Sequence, residues 1–189
     1  MYRVNEIFYS LQGEGANTGT PAVFIRFSGC NLSCNFCDTD FARYTEMTAE
    51  QIVEAVTAFP ARLVVLTGGE PSLQVDSHLI SALHAVNKFL AIETNGTRPL
   101  PDGIDYITIS PKESGNLALF KADEVKIVYV NQDVEKYRNC ITATRYFLQP
   151  CSVLKDGKYT DNREEVIRYI LAHPHWSLSL QTHKILNIR

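Results

Sequence analysis

Short apolar runs that end in polar or glycine-rich segments constrain this chain most. The runs cover 22–27, 63–67, 90–93, 106–109, 125–130 and 146–148, and a seventh covers 178–180. Most are rich in Val, Ile, Phe or Tyr, as strands are. Several lack alternation, the pattern of strands covered on both faces. Gly29-Cys30 follows the first run, Gly68-Gly69-Glu70 the second, Thr94-Asn95-Gly96 the third, Ser110-Pro111-Lys112 the fourth and Gln149-Pro150 the sixth. Ligand sites lie at the carboxyl ends of parallel strands, so these segments are expected to meet around one mouth.

Helical signals fall between the runs. Thr48-Ala49-Glu50-Gln51 reads as a capping box opening a helix to about residue 59, with Pro60 ending it. Asp76 or Ser77 can cap a second helix to about residue 87, and Asn162 a third over 163–173. A short fourth fits 134–140. Between 93 and 106 there is hardly room for a helix, and Pro111 and Gly115 weaken the case for one before residue 125. Alternating strands and helices imply an α/β fold with a parallel sheet. At 189 residues the chain is too short for an eight-fold barrel of about 250. The expectation is one domain over 1–189, an incomplete, open TIM-like barrel of about six parallel strands with a reduced set of helices.

Composition narrows the partners. The hydrophobic set is 45% and the charged set 21%, which excludes a disordered chain. Eighteen Lys+Arg against 21 Asp+Glu leave a net charge of −3. No basic stripe is visible, so nucleic acid is not an expected partner. No apolar string approaches the length of about 18 residues that a membrane span needs, and residues 1–6 show no signal-peptide pattern. The expected location is the cytoplasm, with no membrane partner.

Of five cysteines, Cys30, Cys34 and Cys37 are spaced C-x3-C-x2-C, while Cys140 and Cys151 stand apart. Clustering of this kind points to metal or redox chemistry. Three thiolates on one loop can each hold one iron of a four-iron cluster, leaving the fourth iron open to a small molecule. A structural zinc site completed by a distant Cys or His is the alternative.

The segment resembles the radical S-adenosylmethionine signature, including the aromatic Phe36 before the last cysteine, and Gly68-Gly69-Glu70-Pro71 strengthens the match. Within that superfamily, Leu11-Gln12-Gly13-Glu14-Gly15, Phe24-Ile25-Arg26-Phe27, Cys37-Asp38-Thr39-Asp40 and the tail from Ser179 to Ile188 resemble the 7-carboxy-7-deazaguanine synthase family. The resemblance implies a radical lyase that contracts 6-carboxy-5,6,7,8-tetrahydropterin to 7-carboxy-7-deazaguanine and ammonia, in the pathway to 7-deazapurines such as queuosine. It implies a [4Fe-4S] cluster, S-adenosylmethionine and Mg²⁺, an external electron donor such as flavodoxin or ferredoxin, and a homodimer. A glycyl-radical-type activase, or a non-catalytic zinc or iron–sulfur module, is the alternative.

Residue by residue, the resemblance assigns the cluster to Cys30, Cys34 and Cys37, and Mg²⁺ to Thr39. It places S-adenosylmethionine against Phe36, Cys37, Asp38, Gly69, Glu70, Glu93, Ser110, Pro111, Lys112, Gln149, Pro150, Cys151 and Ser152, with the Glu70 carboxylate offered to the ammonium. Substrate falls to Leu11, Gln12, Gly13, Glu14, Arg26, Thr67, His183 and the main-chain carboxylate of Arg189. No side chain is assigned a catalytic role beyond the cofactor-generated radical. A carboxylate such as Glu14 can accept a pair of N–H donors from a pterin edge. Arg26, between Ile25 and Phe27, faces opposite to its neighbours and offers a planar fork to a carboxylate.

Overall fold

The computed structural model describes residues 1–35, 37, 43–155 and 158–189, with backbone only at 154, 155, 158 and 159. The strands are β1 (Tyr2–Leu11), β2 (Pro21–Phe27), β3 (Thr45–Met47), β4 (Leu63–Gly68), β5 (Phe89–Thr94), β6 (Tyr106–Ile109), β7 (Lys121–Tyr129), β8 (Thr142–Pro150), β9 (Ser152–Lys155), β10 (Lys158–Asp161) and β11 (Ser177–Leu178). The helices are α1 (Ala49–Thr57), α2 (Ser77–Ala85), α3 (Glu135–Cys140), α4 (Arg163–Ala172) and α5 (Thr182–Leu186). Among the described residues, nine strands form one sheet in the order β11-β8-β7-β6-β5-β4-β2-β1-β3. From β2 to β11 every neighbour pairs in parallel. The sheet ends at β11 and β3 without closing, and no helix stands between β5 and β6 or between β6 and β7. This is the open α/β half-barrel that the apolar runs implied, with the seventh run pairing one residue earlier than expected.

Strand β1 and the N-terminus of α4 departed from expectation. Strand β1 pairs antiparallel with β2, and its register slips between Val4 and Glu6. That bulge breaks the alternation of Tyr2, Val4 and Phe8, which hides the strand in the sequence. Asn162 does not cap α4 with its side chain. Its Oδ1 accepts from Cys151 N at 2.8 Å and its Nδ2 donates to Tyr129 O at 3.0 Å, tying the ends of β8 and β7. Arg163 N is met by Asp161 Oδ1 instead, at 3.0 Å. The capping box at Thr48 and the Asp76 cap on Leu79 N form as expected.

The sheet has two unlike faces. Val23, Ile25 and Phe27, then Val64 and Leu66, Leu90 and Ile92, and Val125 and Ile127 turn toward the helices, all essentially buried. The opposite, concave face starts apolar, with Phe8, Ala22, Phe24, Leu63, Val65 and Ala91 packed together. Two residues further along the same strands, on the same side, stand Arg26, Thr67 and Glu93, and Lys126 occupies this face of β7. The apolar floor thus gives way to charge at the carboxyl ends of the strands.

Candidate active site

A cavity of about 800 Å³ opens at those carboxyl ends. Of the residues expected to serve a ligand, Leu11, Gln12, Gly13, Glu14, Arg26, Cys30, Cys34, Cys37, Thr67, Gly69, Glu93, Ser110, Lys112, Gln149, Pro150, Cys151, Ser152, His183 and Arg189 all line it. Phe36, Asp38 and Thr39 lie outside the described residues. Pro111 is buried behind the lining.

The Gly-Gly turn after β4 fixes the entry to the cysteine loop. Gly69 N donates to Phe27 O at 3.1 Å and Glu70 N to Gly29 O at 2.9 Å, carrying the β2–β4 ladder past the strand ends. Gly68 adopts a φ of +132°, and a Cβ on Gly69 would come 2.0 Å from Gly29 O. Only glycine permits that approach. Glu70 is 0% exposed and does not line the cavity. Its Oε1 accepts from Thr94 Oγ1 at 2.7 Å and from Ser72 N at 3.0 Å, and its Oε2 from Asn95 N at 2.7 Å. These three donors hold the carboxylate against the Thr94–Gly96 turn.

Cys30, Cys34 and Cys37, none of them in a disulfide, line the same cavity. Burial pushes the Cys30 thiol up; Glu70, Cys34 and Cys37 add to this, and the Leu32 N–H, 3.4 Å from Sγ, opposes it. Among the described residues no three His, Cys, Asp or Glu side chains converge to hold one ion. Three soft sulfur donors on one short loop suit a multi-iron cluster, where each thiolate meets a different iron. Cys140 lies exposed on α3, away from the cavity, with Sγ 3.5 Å from Tyr137 O.

The same cavity is lined by a charge network. Lys126 Nζ donates to Glu14 Oε2 at 2.5 Å and to Glu93 Oε1 at 3.0 Å. Gln181 Nε2 donates to Glu14 Oε1 at 2.9 Å, and Gln12 Nε2 to Glu93 Oε1 at 3.1 Å. Burial alone would raise the Glu14 carboxyl, but Lys126, Gln181 and the charge of His183 outweigh it and hold it at about 2. Lys112 Nζ bonds Ser110 O and Oγ, each at 2.7 Å, and burial draws its affinity for a proton down.

The 12–16 loop is clasped from two sides. Ala16 N meets Glu124 Oε2 on β7 at 2.9 Å, while Gly15 N meets Ser179 Oγ at 2.9 Å. Thr182 N and Oγ1 reach Gly13 O at 3.0 and 2.9 Å, and a Cβ on Gly13 would come 2.2 Å from His183 Nδ1. Arg26 Nε donates to Glu6 Oε1 at 2.8 Å, and Glu6 also pairs with Arg189. Both guanidinium groups lie over the Phe8 ring. Ser10 Oγ holds Arg189 O at 2.5 Å. The motifs missed Lys126, Glu124 and Glu6. Lys126 had the signal that singled out Arg26, a cation between two apolar residues in a strand.

Comparison with known proteins accords with this arrangement. Residues 24–171 match the radical SAM superfamily. The chain is 53% identical over 189 residues to the 7-carboxy-7-deazaguanine synthase of Bacteroides thetaiotaomicron, covering all of both chains. It is 44% identical to the protein of that name from Nitratidesulfovibrio vulgaris, covering 99% of each. The crystal structure of QueE from Escherichia coli superposes with a TM-score of 0.77 at 28% identity, over 95% of this chain and 93% of that one.

Proposed function

Since the chain belongs to the 7-carboxy-7-deazaguanine synthase family of the radical SAM superfamily, we propose that it is a lyase converting 6-carboxy-5,6,7,8-tetrahydropterin to 7-carboxy-7-deazaguanine and ammonia. The observation that carries this reading is one cavity lined both by a three-thiol loop and by the carboxylate of Glu14, kept ionised by Lys126. An activase of a partner protein needs no such acceptor for a pterin edge.

Cys30, Cys34 and Cys37 hold the [4Fe-4S] cluster, which Gly69 keeps close to the cavity by its packing on Gly29. When bound, the cluster and S-adenosylmethionine supply the one-electron chemistry that removes a hydrogen atom from the substrate carbon bearing the carboxylate. Glu93, Ser110, Lys112 and Gln149, with the main chain of Gly69 and of 150–152, bind S-adenosylmethionine. Glu14 accepts two N–H groups of the pterin edge while Gln12, Gly13 and His183 shape the slot beside it. Arg26 takes the substrate carboxylate in its planar fork, giving up part of its pairing with Glu6 as it does so. Thr67 flanks the same wall, and Leu11 and the main chain of Arg189 border the substrate. Thr39 contributes one hydroxyl to Mg²⁺, which retains waters.

Electrons come from a small donor protein such as flavodoxin or ferredoxin, and the enzyme works as a cytoplasmic homodimer. Among the described residues no helix is long and apolar enough to cross a membrane. The test is anaerobic reconstitution with iron and sulfide, then reduction with S-adenosylmethionine and the pterin, read by mass spectrometry. The expected product is the pterin minus one ammonia. Cleavage of S-adenosylmethionine with the pterin left intact would overturn the substrate assignment.

A further inference from the structure

Lys126 stands where the two proposed half-sites meet. Its side chain is 5% exposed, and its strand neighbours Val125 and Ile127 are fully buried toward the helices. The stem therefore cannot swing away, and the ammonium is fixed between Glu14 and Glu93, carboxylates delivered by the loop after β1 and by the end of β5. We infer that Lys126 is a positioning residue that keeps Glu14 ionised beside Glu93, so that Glu14 accepts the pterin edge while Glu93 accepts the ribose hydroxyls of S-adenosylmethionine. This rests on the proposed function and deepens it.

The reasoning is electrostatic. Two carboxylates sharing an enclosed site repel, and without a cation one of them takes up a proton. A protonated carboxyl carries a donor where a pterin N–H needs an acceptor. Burial alone would favour loss of the Lys126 proton, but Glu14 and Glu93 reverse that and hold the ammonium charged. Other charged groups face the network: Glu124 from the same strand, Lys112 from the loop after β6 and His183 from α5. Lys126 bonds both carboxylates directly.

The test uses cluster-loaded protein with S-adenosylmethionine under anaerobic conditions. Calorimetry gives the Kd for 6-carboxy-5,6,7,8-tetrahydropterin from pH 6 to pH 8, in wild type, Lys126→Met and Lys126→Arg. The readout is the ratio of variant to wild-type Kd, which cancels the titration of the free pterin. For Lys126→Met the ratio is expected to exceed about tenfold at pH 6 and to fall as pH rises, by at most about tenfold per pH unit. For Lys126→Arg, which keeps the charge, the ratio should not vary with pH. A Lys126→Met ratio independent of pH would overturn the inference, since a merely structural lysine shifts affinity equally at every pH. Should Lys126→Met fail to fold, Lys126→Met/Glu93→Gln removes one charge of each sign. With the repulsion gone, the ratio for that double variant is expected to be independent of pH between 6 and 8, and a ratio that still falls with pH would overturn the inference. Wild-type protein that binds no pterin at any pH would overturn the proposed function itself, and with it this inference.

Discussion

Ile127 and Lys126 are adjacent on β7, yet they belong to regions governed by different rules. Ile127 turns toward α3 and α4 and joins a buried layer of aliphatic and aromatic side chains. Lys126 turns into the concave face, where the same sheet carries Arg26, Thr67, Glu93 and Glu124 above an apolar floor. A strand alternates faces every residue, so one backbone serves packing on one side and chemistry on the other. On the helix face any side chain of suitable size and apolarity will do. On the concave face the identity of the group matters, because each charge there is held by a named partner.

The comparison can be broken at its strongest point first. Cys34→Ala is expected to abolish product formation and the visible absorbance of the cluster, while the melting temperature of the cluster-free chain stays put. Cys140→Ala should leave both intact. Loss of iron in Cys140→Ala would mean that the ligand set extends beyond the cavity. Ile127→Ala is the counterpart on the helix face. It should cost about 2–5 kcal/mol of stability in urea unfolding. Turnover per folded molecule should remain unchanged.

Arg26→Lys sharpens the concave side. Loss of a charge-assisted fork costs about 1.5–3 kcal/mol, or roughly 10- to 150-fold in kcat/KM for the pterin. Binding of S-adenosylmethionine should hold, and equal losses for both ligands would assign Arg26 to folding instead.

A smaller effect is read in pH. The Glu14 carboxyl is held down at about 2 in the folded chain, so its ionisation stabilises the fold above the ordinary carboxylate range. That contribution is lost as pH falls from about 4.5 toward 2. The stability gap between wild type and Glu14→Gln should therefore be full at pH 7 and narrow through that window. A gap that widens on acidification would contradict the network. Smallest of all, Arg189→Ala removes a side chain whose ion pair with Glu6 is largely exposed. Its effect on pterin kcat/KM should stay under about threefold, in keeping with about 0–1 kcal/mol for such a pair.

The sequence made the parallel strands legible because buried strands read as unbroken apolar runs bounded by turn residues. The mouth of the cavity was legible for the same reason, since the polar segments follow those runs. Strand β1 was not, because its bulge shifts the alternation midway. The β9–β10 hairpin was not, because its two strands are only four residues each, too short to show a pattern. Glu14 and Glu70 are alike as letters, and only their surroundings separate them. Glu70 is enclosed by the Ser72 and Asn95 N–H groups and the Thr94 hydroxyl, while Glu14 meets a lysine at the cavity wall. Lys126 was within reach of the face argument that singled out Arg26, but it lies in no motif, and motifs direct attention to loops.

The most direct test of this division of labour is a crystal structure of the cluster-loaded chain, grown anaerobically with S-adenosylmethionine and 6-carboxy-5,6,7,8-tetrahydropterin. The pterin should lie on the concave face, its edge within hydrogen-bond reach of Glu14, its carboxylate at Arg26, and S-adenosylmethionine toward Glu93 and the cysteine loop. A pterin seated away from both Glu14 and Arg26 would contradict the account.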